Sequence, residues 1–206
     1  MARSGSFDLN RYLAGFSSTE GQGTRTESDS QSPANHPVPR YLNEFWTARQ
    51  RQAAPIHEIS YRACFKPQLP RFFIELLTRP GECVFDPFSG RGTTVIEAAL
   101  CGRTVIANDI NPLSALMTRP RFFPPDVPAV KERLDTIPGN GTRIDPDLSM
   151  FYHEDTEREI VALRTYLLGR QRAHEDDAID RWIAMVATNR LTGHSPGFFS
   201  VYTLPP

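Results

Sequence analysis

Residues 86–94 read Asp86-Pro87-Phe88-Ser89-Gly90-Arg91-Gly92-Thr93-Thr94, and a second acid, Asp109, follows 17 residues after Gly92. Gly90 and Gly92 let the backbone turn tightly and let a ligand approach without meeting a Cβ. Thr93 and Thr94 are residue types that cap a helix start. A carboxylate at Asp109, closing the next strand, is placed to accept hydrogen bonds from the two hydroxyls of a ribose. An anionic Asp86 at a strand tip opposes a pyrophosphate and suits a ligand with an ammonium or sulfonium group. The phosphate-binding patterns are absent: there is no Gly-x-x-x-x-Gly-Lys, and Val95 stands where a dinucleotide fingerprint has its third glycine. The competing structural reading is a strand–turn–helix unit with no ligand.

These residues need a sheet edge to hold them. Leu69–Leu77 predicts a helix with Leu69, Phe72, Phe73, Leu76 and Leu77 on one face, and Arg79-Pro80-Gly81 breaks it. Cys83-Val84-Phe85 predicts a short buried strand. Thr93–Leu100 predicts a helix ending at Cys101-Gly102, and Thr104–Ala107 a second strand. Strand, glycine turn, helix and strand form a βαβ unit, so the expected class is α/β with a parallel sheet and flanking helices. Downstream, Leu113–Met117 reads as a helical turn and Pro120–Pro128 as a proline-rich link. Helices are expected over Val130–Ile137, Asp155–Leu168 and Asp176–Arg190, the last with Ile179, Trp182, Ile183, Val186 and Ala187 on one stripe. The helical section 126–190 is expected to be an insertion that serves as scaffold.

Residues 1–39 are expected to be a mostly disordered tail, because Ser17–Pro39 has Val38 as its only large aliphatic residue and cannot offset its ordering entropy. Phe7–Leu13 reads first as a frayed terminus, with a short helix or docking peptide as alternatives. The folded region is expected to run from 40 to 206 and to continue past Pro206. The net charge of −1 neither demands nor excludes a polyanion partner. Residues 40–80 hold seven basic and three acidic side chains, whereas 126–180 hold seven basic and thirteen acidic ones, a poor surface for tracking phosphates. No apolar run is long enough to span a bilayer and no secretory signal is recognised. Three scattered cysteines fit neither a disulfide framework nor a zinc site, which points to a reduced, cytoplasmic protein without a bound metal.

The string from Val84 to Thr94 resembles the cofactor motif of the DNA amino-methyltransferases, which methylate N4 of cytosine or N6 of adenine. Glu97-Ala98-Ala99 and Asn108-Asp109-Ile110-Asn111-Pro112 continue the likeness, and Tyr61–Leu69 is similar to the segment that covers the methionine end of the cofactor. The likeness spans Ile59 to Pro112, about a quarter of the chain. It implies a Rossmann-like methyltransferase fold and the cofactor S-adenosylmethionine. By the same resemblance, Asp86, with Pro87, Phe88 and Ser89 beside it, meets the methionine amino group. Gly90 and Gly92, followed by Thr93 and Thr94, offer backbone contacts. Asp109 holds the ribose, Ile110 packs on adenine, and Phe65 lies near the methionine moiety or, equally, in the core. Arg91 occupies the variable slot and is expected to face solvent.

The implied partner is double-stranded DNA with its target base flipped out, since transfer to an exocyclic amine needs a polar acceptor and a stacking aromatic. The family supplies these as Asp, Asn or Ser, then Pro-Pro, then Tyr, Phe or Trp. Neither Phe123-Pro124-Pro125-Asp126 nor Leu204-Pro205-Pro206 has that form. His194-Ser195 has no acid suitably placed in sequence to make a nucleophile. The catalytic residues are therefore unknown from sequence. The expected arrangement is the cofactor half of a restriction-modification or epigenetic enzyme, completed by a further C-terminal half or a partner subunit. An RNA amino-methyltransferase and a non-catalytic cofactor-binding remnant remain as alternatives.

Overall fold

The structure is a computed structural model, and it describes residues 7–18, 21–29, 38–44, 53–59, 65–139 and 152–190. Two compact units divide the chain, Met1–Gln52 and Ala53–Pro206.

The first unit contains helix α1 (Leu9–Ala14) and antiparallel strands β1 (Arg25–Asp29) and β2 (Val38–Leu42). Asp8 starts α1 by accepting the Arg11 amide at 3.0 Å, and Tyr12 packs between Phe7 and Phe16. The Asn43 side chain donates to the Phe16 carbonyl and to Thr24 Oγ1, tying the end of β2 to the approach of β1. The described residues of the 1–39 segment carry regular structure where apolar content alone gives no signal. The N-terminal segment forms a capped helix, and Ser17–Pro39 carries all of β1 and the start of β2. Ladder hydrogen bonds and side-chain amide contacts supply cohesion that a count of apolar residues does not register.

The second unit holds the βαβ unit. Helix α2 (Gln68–Leu77) leads to β3 (Cys83–Asp86), α3 (Thr93–Leu100) and β4 (Thr104–Ala107), with β3 and β4 parallel and Cys83 opposite Thr104. Helix α3 is the most deeply buried element: Val95 and Ala98 are fully enclosed and Ile96 nearly so. It packs against both strands. The expected buried strand is corrected. Val84 and Val105, paired in register, are half-buried, whereas the next pair, Phe85 and Ile106, are 58% and 53% exposed. With period-2 alternation, a sheet that among the described residues is covered by α3 buries only one of its faces.

Helix α4 (Pro112–Thr118) is capped by Asn111, whose side chain accepts the Leu113 amide, and a short 3-10 turn, Arg119–Phe122, follows. Helix α5 (Val127–Asp135) begins three residues earlier than expected, because a proline in the first turn of a helix has no hydrogen bond to lose. Helices α6 (Glu154–Arg172) and α7 (Ala178–Arg190) complete the described residues. Helix α7 starts late because the Asp177 carboxylate accepts the Ile179 and Asp180 amides. Its buried residues are Asp180, Ile183 and Met185, while Val186 is 40% exposed, so the expected stripe is rotated. The rotation follows from Asp180, whose two oxygens bind Arg133 and Arg170, each at 2.6 Å. Ile59, Met117 and Met185 form a core cluster with Leu116 and Trp182 packed on it.

The architecture is mixed helix and strand with a small parallel sheet. Among the described residues no helix is long and apolar enough to cross a membrane. The expectations for Tyr61–Cys64, His194-Ser195 and Leu204–Pro206 lie outside the described residues.

Candidate functional site

The ends of β3 and β4 are laced together. The Asn108 amide donates to the Asp86 carbonyl and the Ser89 amide to the Asn108 carbonyl, both at 2.9 Å. The Asn108 side chain donates to the Pro87 carbonyl, and Ser89 Oγ to the Asp86 carbonyl. Asp86 turns its carboxylate back to accept the Phe88 amide at 3.1 Å. The chain then passes through Gly90 and Gly92, both with left-handed φ, +52° and +81°, where other residues are strained. The Gly90 amide donates to Asp109 Oδ2 at 2.7 Å, and the Asn111 amide to Oδ1 at 2.8 Å. These amides, Asn111 first and then Gly90, hold the Asp109 carboxyl below its ordinary range. It is therefore ionised at neutral pH, and each oxygen keeps a further lone pair for a ligand hydroxyl.

Around this turn Asp86 and Asp109 are half-buried, Ser89 is buried, and Pro87 is exposed. Phe88 is 85% exposed and Ile110 wholly so, giving an apolar rim at the edge that carries the two acids. Of the sequence-predicted residues, Asp86, Pro87, Phe88, Ser89, Gly90, Asp109 and Ile110 thus gather at one end of the parallel strands. Phe65 stands ahead of α2, 45% exposed, and so is not a core residue.

Three expectations change. Gly92 is itself the N-cap of α3, with no side-chain cap, so neither Thr93 nor Thr94 plays that part. Thr93 is buried, and its hydroxyl accepts Arg91 Nε at 3.0 Å. Arg91 turns inward rather than facing solvent, donating from Nη1 to the Ile59 carbonyl at 2.9 Å. The space beside Gly92 belongs to the protein: a Cβ there lies 2.5 Å from Thr118 Cγ2 and Oγ1. Close packing against Thr118 requires a glycine here.

Beneath the turn is a polar cluster that the sequence reading did not single out. His57, in a 3-10 turn Pro55–His57, lies 2.6 Å from Glu97 of α3 through Nε2 and Oε1, and both side chains are almost fully buried. Arg71 approaches the other Glu97 oxygen at 3.5 Å. Burial lowers the His57 pKa, and Arg121 and Arg91 repel its proton further, against the pull of Glu97. Neutral His57 therefore donates from Nε2–H, leaving Nδ1 with no hydrogen-bond partner in the described structure. Arg121 is 4% exposed and spends its donors on the carbonyls of Met117, Ile56 and Arg91. One local signal existed: Glu97 interrupts the apolar run Val95, Ile96, Ala98. His57 had none, nor did Arg121 for the Ile56 and Arg91 carbonyls, since these partners lie far away in sequence. Among the described residues no three His, Cys, Asp or Glu side chains converge to hold a metal ion.

Comparisons with known proteins agree on one family. The family described as DNA methylase, covering N6 and N4 methyltransferases, matches residues 14–115. The type II methyltransferase M.MvaI of Kocuria varians is 40% identical over 67 residues, 31% of this chain and 15% of the relative. The type II methyltransferase M.MjaII of Methanocaldococcus jannaschii is 31% identical over 74 residues, 36% of this chain and 14% of the relative. The matched stretch thus spans only about a seventh of each relative. No solved structure matches the chain.

Proposed function

Because this chain is a member of the DNA amino-methyltransferase family, we propose that it binds S-adenosylmethionine at the β3–β4 edge and serves methyl transfer to an exocyclic amine of a DNA base, cytosine N4 or adenine N6. The observation that carries this reading is the pairing of two acids at neighbouring strand tips, with Asp109 bonded to the glycine turn that follows Asp86.

The residues present fit the group. Asp86 offers a carboxylate to the methionine ammonium, and ionised Asp109 offers acceptors to the ribose hydroxyls. Exposed Ile110 gives an apolar surface for adenine. The cofactor, when bound, supplies an electrophilic methyl group on a sulfonium sulfur. The protein's part is orientation: Gly90 and Asp109 fix each other, so the ligand meets acceptors that need no rearrangement. Phe65 is assigned to the methionine end of this site, and Pro87 and Phe88 to its rim.

Base methylation also needs an acceptor for the amine hydrogens and an aromatic to stack on the flipped base of a duplex. The Pro124-Pro125 pair follows exposed Phe123 and precedes Asp126, the reverse of the order that role requires. The chain therefore supplies the donor half of a Rossmann-like methyltransferase of the restriction-modification type. The catalytic half comes from further polypeptide, either a C-terminal continuation or a partner subunit.

Equilibrium dialysis of the full chain against labelled S-adenosylmethionine tests the donor site. A filter assay then follows tritiated methyl groups into DNA or RNA, with the chain alone and with a catalytic half added. Binding without transfer by the chain alone, and transfer to DNA by the pair, is the expected result. Transfer to RNA only, or no donor binding by a folded chain, would overturn the reading.

A further inference from the structure

We propose that Arg121 is a positioning residue for the donor site, fixing the Arg91 peptide of the glycine turn and locking that turn to the segment around His57. The inference rests on the donor reading given above.

Its ground is the placing of a buried charge. Arg121 is 4% exposed, and its hydrogen bonds go to backbone carbonyls: Nε to Met117 at 2.8 Å, Nη1 to Ile56 at 3.2 Å, and Nη2 to Arg91. Burying a guanidinium is expensive even when its donors are satisfied, and an apolar side chain of similar volume commonly serves a core as well or better. A second cation makes matters worse, because burial and then the nearby Arg91 charge lower the Arg121 pKa to about 10. What the guanidinium adds is direction: a rigid planar fork can aim three carbonyls from three parts of the chain.

One of those carbonyls belongs to Arg91, between the two left-handed glycines of the turn. Arg91 returns the contact by donating to the Ile59 carbonyl at 2.9 Å, while His57 is held on Glu97 of α3. The carbonyls of Ile56 and Ile59, on either side of His57, are thus each taken by an arginine. Two peptide units before that carbonyl of Arg91 lies the Gly90 amide that holds Asp109. A loosened Arg91 peptide therefore reaches the ribose-binding carboxylate through only two residues, Arg91 and Gly90.

The test measures binding of S-adenosylhomocysteine to the full chain by calorimetry, with unfolding by urea run in parallel. Arg121→Gln keeps a donor but loses the fork, and it is expected to weaken binding by about tenfold or more, as displaced positioning groups do. Arg121→Lys keeps the charge yet cannot serve three carbonyls, and is expected to weaken binding while remaining folded. Arg133→Gln, which breaks an ion pair to Asp180 away from the turn, is expected to lower stability and leave affinity within twofold of wild type. Hydrogen exchange on wild type adds a measurement that needs no variant: the ligand is expected to protect 53–59 together with 86–92. Wild-type affinity in a folded Arg121→Gln or Arg121→Lys chain, or protection confined to 86–92, overturns the inference and leaves the donor site standing. Absence of binding by wild type removes the donor reading and this inference with it.

Discussion

The amide of Gly90 donates to Oδ2 of Asp109 at 2.7 Å, so the acid that closes one strand holds the turn that leaves its neighbour. A single residue thereby shapes the turn and, in the proposed site, accepts the ligand. Its substitution acts on both.

Asp109→Ala is expected to weaken binding of S-adenosylhomocysteine by more than tenfold, because it removes charge-assisted acceptors for the ribose and frees the turn. Asp109→Asn keeps one carbonyl acceptor and is expected to bind with intermediate affinity. Calorimetric titration measures both. An Asp109→Ala chain that binds as tightly as wild type would show that a different acid holds the ribose.

Gly92→Ala is expected to act on folding first. The left-handed φ costs a residue with a Cβ roughly 1–2 kcal/mol, and the clash with Thr118 adds about 1–3 kcal/mol of overpacking. Urea unfolding of Gly92→Ala, Thr118→Ala and the double variant separates these contributions. The double variant is expected to recover the clash but not the backbone strain. Additive losses would mean that the two residues do not meet.

His57 gives the fold a pH dependence. Its folded pKa lies below its ordinary 6.5, from burial first and then from Arg121 and Arg91. Between those two values the unfolded chain binds a proton that the native one refuses. The contribution is whole above about pH 6.5 and is lost as pH falls below it, with a slope of up to about 1.4 kcal/mol per pH unit. His57→Gln keeps a donor toward Glu97 and does not titrate. Urea unfolding at about pH 7.5 and about pH 5.5 is expected to show a larger acid loss in wild type than in this variant. Equal losses would assign the acid sensitivity to other groups.

Asp180 is buried between Arg133 and Arg170 and joins α5, α6 and α7. Asp180→Ala removes the buried carboxylate that bridges the two arginines, which keep Asp177 and Glu175 as partners, and is expected to cost about 1–3 kcal/mol of stability. Under conditions that keep the variant folded, affinity for S-adenosylhomocysteine is expected to stay near wild type. A change in affinity larger than the change in folded fraction would tie the helical section to the site.

The βαβ unit was legible from residues alone. Glycines at 90 and 92, an acid on each side, and apolar runs of strand and helix length are local patterns, and local patterns survive in a one-dimensional string. The family resemblance rested on the same residues and reached the same family that the comparisons show. The hairpin of Arg25–Asp29 with Val38–Leu42 was not legible, because polar strands held by ladder hydrogen bonds leave no apolar signature. Nor were the partners of buried polar groups. His57 meets Glu97 across 40 residues, Arg121 meets the Ile56 carbonyl across 65, and Thr118 fills the space that makes Gly92 obligatory. The sequence alone determined which residues stand at the strand tips, since that depends on spacing along the chain. Only the tertiary structure decided what lies beneath the turn, because a buried charge finds its partner through folding rather than through neighbourhood in sequence.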